Sequence, residues 1–263
     1  MAIKGLLFEW FVYHEAVRNY GAIPSDDKDF KKSKEYWDSH NKNNADVVEA
    51  ARDGLKKIAG RSKISSVEKM SGGQEPKTDL VIKVSSKEYR LSLKFGESFQ
   101  LSSAGIRNTS NFFERAFNGY MQETGNDMEK TLMILEALDK LQNEIGETKS
   151  IPQAKAKQIL SRNKEVELLL KAALGSGKEP QVSKEYEGIK KAIIKEALTG
   201  NYSFQNQPMA KPNYILSEKG LIKIDDKYLT SLMDKTSARI RLKGRGKDMR
   251  GRLNEIVVSI DVK

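Results

Sequence analysis

The chain has 263 residues, with 46 Lys and Arg against 36 Asp and Glu, two His, no Cys and a formal charge of +10. Its length can bury a substantial core, its 38% hydrophobic and 31% charged composition is that of a soluble globular protein, and its charge favours a polyanionic partner, nucleic acid first. The lack of cysteine excludes disulfides, thiolate zinc sites and cysteine nucleophiles and suits a reducing, cytoplasmic setting, and no apolar run reaches the length of a membrane span.

Residues Ile3–Tyr20 predict a helix that is apolar nearly all round, through Leu6, Leu7, Phe8, Trp10, Phe11, Val12 and Tyr13, and therefore buried on several sides. No small-residue cleavage site follows it, so a secretory signal is not expected. Glu9 is the one charge between Lys4 and Glu15. Burying an ionised carboxylate costs several kcal/mol unless it is paired or binds a metal, so Glu9 is either bonded to a buried polar group or a ligand. Pro24-Ser25-Asp26-Asp27 signals a turn or N-cap before a short helix over Phe30–His40, whose Lys28, Lys31, Lys32 and Lys34 suit a solvated face better than a phosphate site. Asn44-Ala45-Asp46 then opens an amphipathic helix with Val47, Val48, Ala51, Leu55 and Ile58 inward, Glu49 at the border and Gly60 at its end.

Ile64–Met70 reads as a strand, and Ser71-Gly72-Gly73-Gln74 as its connection to the next. Asp79-Leu80-Val81-Ile82 and Tyr89-Arg90-Leu91-Ser92-Leu93-Lys94 flank a short turn and predict an antiparallel hairpin. Leu80, Ile82 and Val84 share one face of the first strand, and Tyr89, Leu91 and Leu93 one face of the second. Asp79 opens the first strand and Lys94 closes the second, so antiparallel pairing brings a carboxylate and an ammonium to the same sheet edge, the nucleus of a metal-assisted hydrolytic site. A surface hairpin with a solvated polar side is the plainer alternative. The segment Phe95–Gly105, with Gln100, Ser102 and Ser103, is rich in small hydrogen-bonding residues suited to approaching a ligand.

Thr109–Met121 predicts a helix packing on the sheet through Phe112, Phe113, Ala116, Phe117 and Tyr120. From Asp127 to Thr199 the pattern is helical throughout, over Met128–Ile145, Pro152–Leu174 and Ser183–Leu198. This predicts an all-helical insertion over 127–200 between a core at 1–126 and C-terminal strands at 201–263. Its Lys155, Lys157, Arg162 and Lys164 suit a solvated face slightly better than a DNA grip. Short strands over Asn213–Leu216 and Gly220–Ile224 and a helix over Asp225–Met233 lead to a final β-pair, 238–243 with 253–260. Beside and between its arms stand Arg239, Arg241, Lys243, Arg245, Lys247, Arg250 and Arg252, loosened by Gly244, Gly246 and Gly251. So many cations at one hairpin tip predict contact with a phosphate backbone and salt-dependent binding.

Pro76-x-x-Asp79 with Ser92-x-Lys94 resembles the pattern of the PD-(D/E)XK nuclease superfamily over roughly Ala45–Gly105. Pro76 stands three residues before the aspartate rather than beside it, and Ser92 occupies the place of the second acid. The resemblance implies an α/β protein with a restriction-endonuclease-like mixed β-sheet flanked by helices. It also implies a Mg²⁺-dependent (or Mn²⁺-dependent) endonuclease in which Asp79 and the main-chain carbonyl of Leu93 bind metal. Lys94 would act on the attacking water or the phosphate charge, Ser92 would hold a metal-bound water, and Gln100 would contact phosphate or water. The missing ligand falls to a helix glutamate, Glu9 or Glu49. DNA is the expected substrate, with RNA, a homodimer and the biological pathway left open. A decayed site on a nucleic-acid-binding assembly protein is the rival, and Ser92 is its best evidence.

Other motifs fail on context. Gly175-Ser176-Gly177-Lys178 lacks the first P-loop glycine (Ala172) and the Ser/Thr (Glu179), and follows a helix. Gly244-x-Gly246 lacks the third glycine of a dinucleotide fingerprint, and Ser66-x-x-Lys69 lies in a strand without the rest of an acyl-transferase set. With only His14 and His40, histidine-based metal sites are disfavoured.

Overall fold

The computed structural model describes residues 2–70, 77–96, 99–125, 129–249 and 251–263, with backbone alone at 2, 3, 99 and 103. Pro76, the Ser71–Gln74 connection and Arg250 lie outside the described residues. The chain is mixed α/β and sorts into two compact units, Met1–Phe99 with Thr199–Tyr228, and Gln100–Leu198 with Leu229–Lys263.

In the first unit, α1 (Ala2–Tyr20) buries Leu7, Phe8, Trp10, Phe11, Val12 and Tyr13, as its unbroken apolar circumference requires. The dipeptide strand β1 (Ile23–Pro24) follows, then α2 (Asp27–His40). Asp26 caps α2 by accepting from the Lys28 N–H at 2.7 Å, and Asp27 and Asp29 place negative charge at the positive end of its dipole. Helix α3 (Ala45–Ala59) turns Val47, Ala50, Ala51, Leu55 and Ile58 inward. Its Gly54 is a packing glycine, because a Cβ there would lie 2.6 Å from Cδ1 of Leu216.

Strands β2 (Ile64–Lys69), β3 (Leu80–Val84), β4 (Lys87–Lys94), β7 (Tyr214–Ser217) and β8 (Gly220–Lys223) join β1 in a six-stranded mixed sheet of order β1-β2-β3-β4-β7-β8. The β3–β4 hairpin turns through Ser85-Ser86, a short turn as the sequence suggests, with Ser85 at φ +54. Strand β7 runs parallel to β4, and the second unit's helices intervene between them in the chain. The cross-strand pairs Leu80–Leu91 and Ile82–Tyr89 line up one apolar face. That face packs with α1 and α3 through Leu7, Phe8, Phe11, Val47 and Leu55. Each such side chain contributes about 1.5–3 kcal/mol of burial.

The second unit holds β5 (Phe99–Gly105), α4 (Ile106–Thr124), α5 (Glu129–Ile145), β6 (Ile151–Pro152), α6 (Gln153–Arg162), α7 (Lys164–Leu174), α8 (Lys184–Thr199), and the long strands β9 (Thr236–Asp248) and β10 (Gly251–Val262). The short α9 (Asp226–Ser231) leads into β9. The expected single helix over Pro152–Leu174 breaks at Asn163, whose buried side chain donates to the Ile159 carbonyl at 2.9 Å and competes with helical backbone bonding. In α5 the buried stripe is Ile134, Leu138 and Leu141, while Leu132 faces out.

This grouping departs from the three consecutive blocks that composition suggests. The 127–200 helices are not a separate insertion. Strand β10 pairs with β6 and β9 and sits beside β5 in a four-stranded sheet, so 100–126 and 229–263 belong with them. Only β7 and β8 return to the first sheet.

Candidate hydrolytic site

The site is built where three strands of the first sheet end together. Asp79 extends β3 by one residue, its N–H donating to the Leu91 carbonyl at 2.8 Å and its own carbonyl accepting from Met70 N–H at 3.1 Å. The backbone at Asp79 is therefore held from both sides. Its carboxylate oxygen Oδ2 accepts from the Leu93 N–H at 2.6 Å, and the buried Ser92 hydroxyl lies 3.5 Å from the same atom. In a strand, N–H and C=O of one residue leave the same edge, so the Leu93 carbonyl borders the space beside Asp79. Lys94 closes β4 at this end, and its positive charge acts on Asp79.

Glu9 reaches the same place from α1. Its charge is felt at Asp79, and its Oε2 accepts from Lys69 Nζ at 2.8 Å. Lys69 ends β2 directly opposite Leu80, so the strand register alone delivers it to the site. The ammonium is also 4.9 Å from the centroid of the Trp10 ring, a cation–π contact that fixes it against α1. The four charges act on one another at this end of the sheet, while the direct contacts fall in two sets, Asp79 with the Leu93 N–H and Glu9 with Lys69. Burial pushes the Asp79 carboxyl up to about 6, and Glu9 adds to the rise, while Lys94, the Leu93 N–H and Lys69 pull the other way. Carboxyls shifted in this way gather at functional sites and also occur in structural ion-pair networks.

The remaining expected site residues divide. Glu49 is exposed on α3 and lines a separate cleft of about 760 Å³ with Glu15, Arg18, Trp37 and Arg52, so it is no partner of Asp79. The sequence places both glutamates on helices before the sheet; the direction each helix face takes decides for Glu9. Gln100 belongs to the second unit, where its amide donates to Asp261 at 3.2 Å and its carbonyl oxygen lies 3.5 Å from Arg241 Nη2. The segment that holds it is strand β5, not a ligand loop, because β5 joins the second sheet.

Two groups escaped the sequence reading. Lys69 appears there only within a discarded motif, although its alternation with Val67 on the apolar face of β2 marks it as an inward lysine. Glu218, in the β7–β8 turn, accepts from the Gly96 N–H at 2.7 Å just past Lys94, a contact 122 residues apart that no local pattern announces.

The basic hairpin exists, and its cations are unequal. Arg239 pairs with Asp261 at 2.8 Å, Arg245 binds Glu255 through two nitrogens, and Arg241 Nε donates to Ser259 at 2.7 Å. Lys243, Lys247 and Arg252 stand exposed.

The donors at the first site are all oxygen: the carboxylates of Asp79 and Glu9 and the Leu93 carbonyl. Among the described residues no group of three acidic or histidine side chains forms a complete cage. That set suits Mg²⁺ or Mn²⁺, hard cations that bind through one or two carboxylates and retain waters or take substrate phosphate. Comparison of the chain with protein-family models, with curated proteins and with solved structures finds no match. Among the described residues no helix is long and apolar enough to cross a membrane.

Proposed function

We propose that the chain is a Mg²⁺- or Mn²⁺-dependent nuclease hydrolysing DNA phosphodiester bonds endonucleolytically on a restriction-endonuclease-like core. The observation that carries this reading is the Asp79 carboxylate held by the Leu93 N–H at one end of a mixed sheet, where the charges of Lys94 and Glu9 act on it. Asp79, Glu9 and the Leu93 carbonyl would hold the metal, which supplies Lewis-acid activation of water and neutralises phosphate charge. The Leu93 N–H fixes one Asp79 oxygen, Oδ2. Lys94 places an ammonium beside the reacting phosphate, where it stabilises the charge that develops in the transition state. Ser92 supports Asp79 as a neutral hydroxyl, and Glu9 would supply a second carboxylate near Asp79. The exposed Lys243, Lys247 and Arg252, with a formal charge of +10 over the chain, support a polyanionic substrate.

Supercoiled plasmid tests the proposal. Wild type nicks it with Mg²⁺ and not in EDTA, and Asp79→Ala and Lys94→Ala lose cleavage by at least about 100-fold while retaining DNA binding, in the range of losing one charged transition-state contact. Cleavage that survives both substitutions would overturn it. A second reading, a nucleic-acid-binding protein with a closed site, is favoured by the Glu9–Lys69 pair, in which an ammonium already satisfies the second carboxylate. Binding without cleavage of any DNA or RNA supports that reading.

A further inference from the structure

The β9–β10 hairpin carries an irregularity that redistributes its charge. Leu253 and Asn254 of β10 pair with Pro152 and Ile151 of β6, and beyond them Arg252 and Gly251 pair with Lys247 and Asp248 of β9. This described ladder past the irregularity has two residues per arm, about 7 Å of strand at about 3.3 Å per residue. The described side chains of the tip, from Lys243 to Met249 and at Arg252, are all exposed.

Plain alternation would put Lys243, Arg245 and Lys247 on one face. A bulge prevents this. Register pairs Asn254 with Gly244 and Arg252 with Lys247, so Arg245 and Gly246 together oppose Leu253. Gly246 takes φ +105, a conformation that L side chains rarely adopt. Arg252 and Asn254 are two apart on β10 and share a face, which carries Lys247 with it. Lys243, opposite Glu255, lies on the other face, where Arg245 also reaches Glu255. The end of the hairpin from Lys243 onward therefore carries Lys247 and Arg252 on one face and Lys243 on the other, where Glu255 holds Arg245.

Gly244 has a separate oddity. Its φ is not in the positive range, and a Cβ there would meet nothing within 4 Å, so the chain's own fold does not call for glycine. A glycine inside a strand weakens it and marks a bulge, such as the one beginning at Arg245, or a place where a ligand or another backbone comes close.

We propose that this tip enters the major groove of duplex DNA, with Lys247 and Arg252 facing one phosphate wall and Lys243 the other. The major groove of B-form DNA, about 12 Å wide and 8.5 Å deep, admits a two-stranded ribbon, whereas the corresponding groove of A-form RNA is too narrow for side chains to read. A surface made for one strand would need cations on one face only. The bulge serves to aim them both ways. This deepens the nuclease reading by naming the form of its substrate.

The experiment measures binding in EDTA, by fluorescence anisotropy, to a 20-base-pair DNA duplex, one of its single strands, and the matching RNA duplex. Duplex DNA binds at least tenfold tighter than either alternative, and methylation of guanine N7 in the major groove weakens binding at least fivefold. Phosphate ethylation interferes on both strands. Gly244→Val weakens duplex binding at least fivefold at unchanged melting temperature. Lys247→Ala with Arg252→Ala flattens the salt dependence by about 1.8 in log–log slope and abolishes ethylation interference on one strand alone. Equal binding of duplex RNA or single strands, indifference to N7 methylation, or interference confined to one strand in wild type would overturn the proposal. Cleavage is scored separately with Mg²⁺: an enzyme that cuts DNA without these groove effects fails this inference and keeps the nuclease reading, and groove binding without cutting does the reverse.

Discussion

At the scale of single residues, Asp79 is the most informative group. Its carboxyl titrates above the usual carboxylate range because burial and Glu9 outweigh Lys94, Lys69 and the Leu93 N–H. A carboxyl whose folded value is raised contributes stability that is complete below its unfolded value near 4 and is lost as pH rises through about 6. Asp79→Asn keeps an oxygen to accept from the Leu93 N–H and cannot ionise. In EDTA it therefore stabilises the protein at pH 7.5 by roughly 2–3 kcal/mol and by almost nothing at pH 4, as read from urea denaturation at the two pH values. Lys69 acts as a resident counter-ion to Glu9. Lys69→Met removes that ammonium and raises Mn²⁺ affinity, measured by calorimetry, by about tenfold, a fraction of the roughly 4 kcal/mol between unit charges 4 Å apart at an effective dielectric of about 20. Without metal the same variant is less stable than wild type, since Glu9 is left half-buried and unpaired. Unchanged metal affinity would mean that Lys69 and the cation do not share Glu9.

At the scale of elements, the sheet positions the chemistry and the helices set which face is dry. Helix α3 lies against β7 so closely that Gly54 has no room for a side chain. Gly54→Ala gains up to about 1 kcal/mol in helix propensity but forces Leu216 to shift, and overpacking of this kind costs about 1–3 kcal/mol, so a net loss is expected in the urea midpoint. The hairpins show how far local pattern reaches. Alternation in 80–84 and 89–94 identifies the buried face and the shared edge of Asp79 and Lys94, because the β period is two and the turn is short. The same alternation misplaces Lys247, because one bulge residue inverts every later side chain on that arm. The Asn163 break divides one expected helix into two for a similar reason: one side chain competes with the backbone.

At the scale of the whole molecule, a formal charge of +10 predicts association with DNA that weakens with salt. If Lys243, Lys247 and Arg252 each displace one counterion, duplex affinity falls by ~40-fold between 50 and 200 mM salt, a log–log slope of about −2.7. A steeper slope would place further phosphate contacts elsewhere, with the exposed Lys155, Lys157, Arg162 and Lys164 the first to test by substitution. The sequence by itself determined the α/β class, the burial of the first helix, the Asp79–Lys94 edge and the cationic hairpin, since each rests on periodicity or composition over a few neighbouring residues. Tertiary structure decided what those patterns leave open. It set Glu49 on a separate cleft and brought the charge of Glu9 to bear on Asp79, brought Lys69 and Glu218 to the strand ends, drew Gln100 into the second sheet and paired Arg239 and Arg245. All of these depend on contacts between residues far apart in the chain, where helix direction, strand order and register act; local spacing encodes only the inward side of Lys69, through its alternation with Val67.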